Sequence, residues 1–85
     1  MKLLYCPNCK DVIRLLFQEK RYCRCKESWG MYEDELNAVY YNGIPLAFQN
    51  QSFVNALARR PEKGKGRPFE AFVVPKHCDT FKLVQ

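Results

Sequence analysis

The 85-residue chain lacks any apolar run close to the roughly 20 residues that a membrane-spanning helix needs. Its start reaches Cys6 too soon for a secretory signal, so we expect a cytoplasmic, intracellular protein with no membrane partner. The chain has one histidine, no glycine-rich phosphate loop and no Ser/His/Asp set. These absences argue against an enzyme.

Basic residues are absent from residues 28–58, which contain three acidic side chains. The flanking segments, residues 1–27 and 59–85, each carry seven basic and three acidic side chains, and the whole chain has a formal charge of +5. Clustered cations of this kind can steer an anionic partner toward part of the surface. Composition indicates one folded domain over residues 1–85, and a domain this small often needs a metal or disulfide to stabilise it.

Four of the five cysteines lie within the first 25 residues, as Cys6-Pro7-Asn8-Cys9 and Cys23-Arg24-Cys25. Two close pairs separated by enough chain for a strand, a turn and a strand predict a tetrahedral thiolate site for one metal ion. In an intracellular protein, cysteines in this number favour metal binding over disulfides. We expect zinc, while tetrahedral sulfur ligation would also suit iron.

These two cysteine pairs resemble the knuckles of the zinc-ribbon (rubredoxin-like) group over about residues 3–30. Such ribbons usually have glycine after the second cysteine of a knuckle, where this chain has Lys10 and Lys26. The resemblance implies a metal-pinned β-hairpin with zinc bound by Cys6, Cys9, Cys23 and Cys25. It also implies an association with nucleic-acid-handling or transcription machinery, or a role as a small adaptor.

The fold expected is α+β: the zinc-ribbon-like hairpin (residues 3–30) joins a small antiparallel sheet with one helix (residues 31–85). Residues 11–17 and 21–23 predict the strands of the metal-pinned hairpin. Asn42-Gly43 predicts a type I′ turn between two further strands, with Pro45 on an edge strand that could serve homodimerisation.

Helical spacing of apolar residues predicts one helix at residues 50–60. Asn50 or Ser52 would cap the helix, Arg59 and Arg60 would lie in its last turn, and Pro61 would end it. Its apolar face should pack on the sheet. The predicted core is Val12, Phe17, Trp29, Val39, Phe53, Leu57, Phe72 and Val73.

The basic loop, residues 59–68, contains five cations: Arg59, Arg60, Lys63, Lys65 and Arg67. Glycines between them would let the backbone follow a phosphate chain. The loop therefore predicts contacts with nucleic acid, with Arg24 and Lys26 of the second knuckle as additional contacts. A solvated loop that only favours solubility is the alternative. The strand expected at residues 69–74 is largely apolar on both faces, which predicts burial and argues against base stacking there.

A protein–protein adaptor or inhibitor is the second functional hypothesis. It would use the acidic middle segment and four aromatic anchors: Tyr32, Tyr40, Tyr41 and Phe48. Glu33-Asp34-Glu35 predicts a solvated turn in preference to a cation site. His77 and Cys78 could be a replacement ligand or a second half-site, or an ordinary turn residue beside a buried thiol.

Overall fold

The computed structural model describes residues 1–84, and these contain eight strands and one helix. The predicted α+β class with a single helix is confirmed for this part of the chain. The elements are β1 (Lys2–Tyr5), β2 (Val12–Arg14), β3 (Arg21–Tyr22), β4 (Trp29–Tyr32), β5 (Ala38–Tyr41), β6 (Ile44–Phe48), α1 (Asn50–Ala58), β7 (Ala71–Val73) and β8 (Phe81–Leu83).

The strands form two four-stranded sheets. The first has the order β2-β1-β6-β7 and is antiparallel throughout, and the second has the order β3-β4-β5-β8, in which β5 and β8 are parallel. The two strands around each cysteine pair hydrogen-bond to each other, as β1–β2 and β3–β4. The strands predicted at residues 11–17 and 21–23 do not pair as one hairpin, because β2 and β3 belong to different sheets. Between them lies one isolated bridge, Leu16 to Glu19. The cysteine pairs therefore lie at the turns of two hairpins that belong to different sheets.

The hairpin predicted at Asn42-Gly43 is wrong, because β5 and β6 on either side of it belong to different sheets. A type I′ turn needs positive φ at both central residues, and of this pair only Asn42 has it, at 54°. A Cβ on Gly43 would lie 2.8 Å from Cδ1 and Cγ of Leu4. Gly43 thus allows close packing on β1 where the chain crosses between sheets.

Pro45 does not lie on an edge strand, contrary to the prediction. β6 pairs with β1 on one side and β7 on the other, so Pro45 offers no free edge for homodimerisation. The Pro45 carbonyl accepts a hydrogen bond from Val74 N, 2.9 Å away and just beyond β7. In an antiparallel sheet the N and the C=O of one residue point to the same neighbouring strand, so the Pro45 nitrogen also faces Val74. Pro45 has no N–H to donate, and no bond of β7 is lost because β7 ends before Val74.

The hydrophobic core lies between the sheets and differs from the predicted one. Its buried residues are Leu4, Cys6, Ile13, Leu15, Cys23, Ala38, Tyr40 and Phe81. Tyr40 and Phe81 pack edge to face, with ring centroids 5.3 Å apart. Of the predicted core, Trp29, Val39 and Phe53 are half-buried. The other five are exposed, from 49% to 71%: Val12, Phe17, Leu57, Phe72 and Val73.

Strand β7 is one of the places where the burial prediction fails. All three of its residues are exposed, because β7 is an edge strand of the first sheet. A strand with apolar residues on both faces predicts burial only when other layers cover both faces. Here the outer positions of a short edge strand stay open.

Helix α1 begins one residue after its cap, Gln49, whose side chain accepts a hydrogen bond from Ser52 N at 2.5 Å. The cap is therefore neither Asn50 nor Ser52, as was predicted. Arg59 is the C-cap and Arg60 follows the helix, so neither lies in its last turn. Ala56 is the buried residue of α1, and Phe53 packs against Phe48 and Phe69 with ring centroids 5.3 and 4.9 Å away.

Candidate metal centre and basic loop

The first knuckle is the turn between β1 and β2. Cys6 N donates to the Asp11 carbonyl at 2.9 Å, and Lys10 N donates to the Cys6 carbonyl at 2.8 Å. The turn requires a left-handed residue at Lys10, whose φ is 65°. This is the position at which zinc ribbons usually have glycine. The knuckle therefore forms without glycine, at the cost of backbone strain.

The second knuckle, between β3 and β4, repeats this arrangement with one residue fewer between its cysteines. Cys23 N donates to the Ser28 carbonyl at 3.0 Å, and Lys26 N donates to the Cys23 carbonyl at 3.0 Å. Lys26 has a φ of 67°. The Cys23-Arg24-Cys25 spacing is therefore compatible with a knuckle turn.

The two knuckles bring the sulfur atoms of Cys6, Cys9, Cys23 and Cys25 within 4.8 Å of one another. The Sγ of Cys25 lies 3.7 Å from that of Cys6 and 3.5 Å from that of Cys23. Metal–sulfur bonds of about 2.3 Å in a tetrahedron would separate the sulfurs by about 3.8 Å. The cluster could thus hold a metal ion, and its geometry is consistent with a zinc-ribbon-like site.

Hydrogen-bond donors surround the sulfur atoms. Asn8 Nδ2 donates to Cys25 Sγ at 3.2 Å, and Ser28 N donates to Cys23 Sγ at 3.4 Å. Cys6 and Cys23 are buried, whereas Cys9 and Cys25 are half-buried. Such donors stabilise thiolate charge and orient metal ligands.

The surroundings of the sulfur atoms shift the pKa values of Cys6 and Cys25 in opposite directions. The adjacent Ser28 side chain, followed by the Cys9 backbone, lowers the pKa of Cys6 to about 6. Asn8 and the Glu27 backbone act to lower the pKa of Cys25, yet burial and the nearby sulfurs of Cys23 and Cys9 raise it to about 11. Without a cation, four sulfurs this close cannot all ionise. A bound dication would favour the thiolate form of each.

Two residues that support the site were missed by the sequence reasoning. The Asp11 carboxylate accepts a hydrogen bond from the backbone N–H of Arg24 and so joins the two knuckles. Ser28 is fully buried, and its hydroxyl donates to the Asn42 carbonyl. The sequence signal for both is their position, because Asp11 follows Cys9 by two residues and Ser28 follows Cys25 by three.

His77 and Cys78 do not join the metal cluster, which within residues 1–84 consists of the four N-terminal cysteines. Cys78 Sγ lies 3.6 Å from Thr80 Oγ1, and this contact lowers the pKa of the thiol. His77 is exposed. Of the alternatives for these two residues, a replacement ligand in this cluster is excluded, and a second half-site would need ligands that the described residues do not assemble.

All residues of the basic loop are exposed, and Gly64 and Gly66 have φ values of 95° and 86°. The loop follows α1 and returns to Phe69, which packs on Phe53. Between loop and helix lies a cleft of about 210 Å³. Its lining residues are Phe53, Ala56, Leu57, Arg60, Pro61, Gly66, Arg67 and Phe69.

The other predicted nucleic-acid contacts, Arg24 and Lys26, lie in the second knuckle and are exposed. The basic loop runs from α1 toward β7 of the first sheet, whereas this knuckle connects β3 to β4 of the second sheet. The predicted contacts therefore come from two separate parts of the fold.

The aromatic anchors of the adaptor hypothesis do not share one exposed surface. Tyr40 is 5% exposed and belongs to the core, whereas Tyr41 is 46% exposed. Tyr32 is half-buried, and its hydroxyl accepts a hydrogen bond from Lys2 N at 3.0 Å. Phe48 packs on Phe69, with ring centroids 4.8 Å apart.

In the acidic segment Glu33-Asp34-Glu35, the Asp34 carboxylate accepts hydrogen bonds from the N–H groups of Leu36 and Asn37. This segment is therefore the solvated turn that was predicted.

Comparison of the chain with protein-family models, with curated proteins and with solved structures finds no match. Within residues 1–84, no helix has the length and apolar character needed to cross a membrane.

Proposed function

We propose that this chain is a non-catalytic, zinc-stabilised binding module of the zinc-ribbon group that contacts nucleic acid or the machinery that handles it. Zinc is preferred to iron because a closed site of four thiolates suits a redox-inert ion with a structural role. With four protein ligands, such a site leaves no position for a substrate. This supports a role in binding rather than in catalysis.

The observation that carries the proposal is the cleft between α1 and the basic loop. Phe53 and Phe69 belong to its lining, and so do Arg60 and Arg67. Arginine pairs with phosphate through two parallel hydrogen bonds, and an aromatic wall accommodates a base. Lys63 and Lys65 extend the positive charge along the exposed loop.

A fluorescence anisotropy titration of the zinc-loaded chain with labelled oligonucleotides, run over a series of salt concentrations, tests this proposal. We expect binding that weakens with salt, with a slope set by the number of phosphates neutralised. The double variant Lys63→Ala/Lys65→Ala should reduce the magnitude of that slope by about 1.4 on a single strand. A matched control, Arg14→Ala/Lys76→Ala, removes two exposed cations elsewhere and should leave the slope nearly unchanged.

Absence of binding to any oligonucleotide at low salt would exclude direct nucleic-acid contact. In that case, affinity capture from the native host with and without nuclease would show whether the chain joins nucleic-acid-handling machinery through protein contacts. The adaptor hypothesis loses support from the burial of Tyr40 and the internal contacts of Tyr32 and Phe48. It retains Tyr41 as an exposed anchor.

A further inference from the structure

Three aromatic side chains form a row across neighbouring strands of the second sheet. Tyr22 of β3 lies directly opposite Trp29 of β4, and Trp29 lies opposite Tyr41 of β5. Residues that face each other across antiparallel strands project from the same side of the sheet. The Trp29 and Tyr41 rings are 6.4 Å apart and within 17° of parallel. We call these three residues the aromatic row.

The aromatic row lies on the outer side of this sheet. The alternate positions, Gly30 and Tyr40, are buried and face the core, so the row faces away from it. Tyr22 is 47% exposed and Tyr41 46% exposed, while Trp29 between them is half-buried. Met31 and Val39 form the next outward pair and are half-buried. The sheet therefore presents a flat aromatic and apolar face to its surroundings.

Several cations lie beside the aromatic row. The ammonium group of Lys20 lies 4.3 Å from the centre of the Trp29 ring. Lys82 is the β8 partner of Val39 on the same outward side. Arg24 and Lys26 follow Tyr22 in the knuckle and are exposed. No aspartate or glutamate occupies an outward position among the paired residues of β3, β4, β5 and β8.

We infer that the aromatic row is a stacking surface for the bases of single-stranded nucleic acid, with Lys20 and the knuckle cations contacting the phosphates. The inference rests on the proposed function and names the form of nucleic acid. Flat rings that tolerate any base, flanked by cations, are the arrangement that single-strand binding uses. In a duplex the bases are stacked on one another and their faces cannot reach the rings.

The metal centre supports the aromatic row directly. Tyr22 precedes Cys23 and Trp29 follows Ser28, and the Cys23 N–H donates to the Ser28 carbonyl at 3.0 Å. Of the strands that carry the row, β3 thus ends at the second knuckle and β4 begins there. Loss of the ion should misalign Tyr22 and Trp29, which gives the metal a function in binding as well as in folding.

The test uses Trp29, the single tryptophan of the chain, as its own probe. The zinc-loaded protein is titrated with oligothymidylate of about 12 nucleotides and with a duplex of the same length, at about 50 mM salt. Base stacking should quench the Trp29 emission, and the single strand should bind at least about 10-fold more tightly than the duplex. Anisotropy of a labelled strand gives the affinity independently of quenching.

Variants then separate the aromatic row from the basic loop. Tyr22→Leu and Tyr41→Leu keep bulky apolar side chains and should each weaken single-strand binding about 10-fold. Tyr22→Phe and Tyr41→Phe retain the ring and should bind nearly as tightly as the wild type. Phe72→Leu is the matched control, because Phe72 is a 51% exposed strand aromatic in the other sheet. Zinc content shows that each variant is folded.

Several results would overturn the inference. If single strand and duplex bind equally, without quenching, and only Lys63→Ala/Lys65→Ala weakens binding, the row is not a stacking surface although the proposed function stands. If neither nucleic acid binds, the inference fails, and the proposed function is reduced to contact with nucleic-acid-handling machinery through protein. If neither oligonucleotide binds, and affinity capture of a protein from nuclease-treated host extract is lost in Tyr22→Leu and Tyr41→Leu, the row belongs to a protein interface. Should a leucine variant lose zinc, wild-type quenching and strand preference still decide the matter.

Discussion

The Asp11 carboxylate accepts a hydrogen bond from the backbone N–H of Arg24, with the Asp11 Oδ2 and Arg24 N atoms 2.9 Å apart. The Asp11 carbonyl also accepts from Cys6 N. One residue therefore closes the first knuckle through its backbone and holds the second through its side chain. Covalent connection between the knuckles runs through β2 and β3, which lie in different sheets. Asp11 provides a direct link.

Replacement of this link should weaken the metal centre. We expect Asp11→Ala to lower the free energy of unfolding of the zinc-loaded protein by about 1 kcal/mol, since it removes a hydrogen bond to a charged acceptor at a partly exposed site. Denaturant titration measures this value. Asp79→Ala, which removes an exposed aspartate outside the knuckles, is the control and should be nearly neutral. Equal losses in the two variants would contradict a specific role for Asp11.

The four cysteines should act as a unit, whereas Cys78 should not contribute. Cys6→Ser should abolish stoichiometric zinc binding and cooperative thermal unfolding, because the free energy of metal binding is also free energy of folding. Cys78→Ser removes a half-buried thiol outside the cluster and should retain one zinc per chain. Elemental analysis and calorimetry of both variants provide the check. Retention of zinc by Cys6→Ser would exclude the four-sulfur site.

Glycine should stabilise the protein at a knuckle position where lysine has positive φ. Lys10 has a φ of 65°, where a side chain is disfavoured and glycine is not. We expect Lys10→Gly to raise the free energy of unfolding by about 0.5–1 kcal/mol, since relief of the strain exceeds the entropy cost of a glycine in the unfolded chain. Lys76 is an exposed lysine without positive φ, so Lys76→Gly should destabilise or be neutral. Denaturant unfolding of both variants measures the effect, and a lower free energy of unfolding for Lys10→Gly would contradict the strain at Lys10.

Acid should release the metal, and Ser28 should set the pH at which release occurs. Protons compete with the ion for each thiolate, and the lowered pKa of Cys6, about 6, delays this competition at Cys6 until the pH falls toward that value. Ser28→Ala should return the pKa of Cys6 toward 9.0, so zinc should be lost at a higher pH. A chromogenic chelator follows release during a pH titration.

A matched variant separates this effect from general loosening of the turn. Asn42 Nδ2 donates to the Glu27 carbonyl, and Asn42 itself has positive φ. Asn42→Gly removes that hydrogen bond while it suits the backbone conformation, and it does not remove the Ser28 hydroxyl. We expect its release pH to stay close to that of the wild type. An unchanged release pH in Ser28→Ala would show that the hydroxyl does not control Cys6.

Helical spacing placed Leu57 in the core, whereas the observed core contains Leu15, so the two views predict opposite costs for truncating these residues. Leu57, expected in the core, is 59% exposed, whereas Leu15 is 2% exposed. Leu57→Ala should therefore cost less than about 0.5 kcal/mol, and Leu15→Ala about 2–5 kcal/mol because it leaves a cavity. Thermal and denaturant unfolding of the two variants measure the difference. A larger loss for Leu57→Ala would place the core on the helix.

The metal cluster could be predicted because its determinants are local. A turn of a few residues fixes how Cys6 lies relative to Cys9, and the same holds for Cys23 and Cys25, so two short spacings suffice to indicate one ion. The single helix was predictable for the same reason, because the spacing of its apolar residues is a sequence property, although it ends at Ala58 and not next to Pro61. The cap of the helix was not predictable, because Gln49, Asn50 and Ser52 are neighbouring polar candidates and only the structure shows that Gln49 accepts the hydrogen bond from Ser52 N.

The sheets and the core depended on tertiary structure. Strands of two to five residues carry too few positions for alternation to identify the buried face, and Asn42-Gly43 has the sequence of a hairpin turn although its flanking strands join different sheets. The aromatic row has no sequence signature, because register alone aligns Tyr22, Trp29 and Tyr41. Sequence thus determined which sulfur atoms can bind a metal, because the two cysteines of each pair are so close along the chain that one short turn sets their relative positions. Burial and surface were decided only when non-local strand pairing selected one face of each short strand for the core.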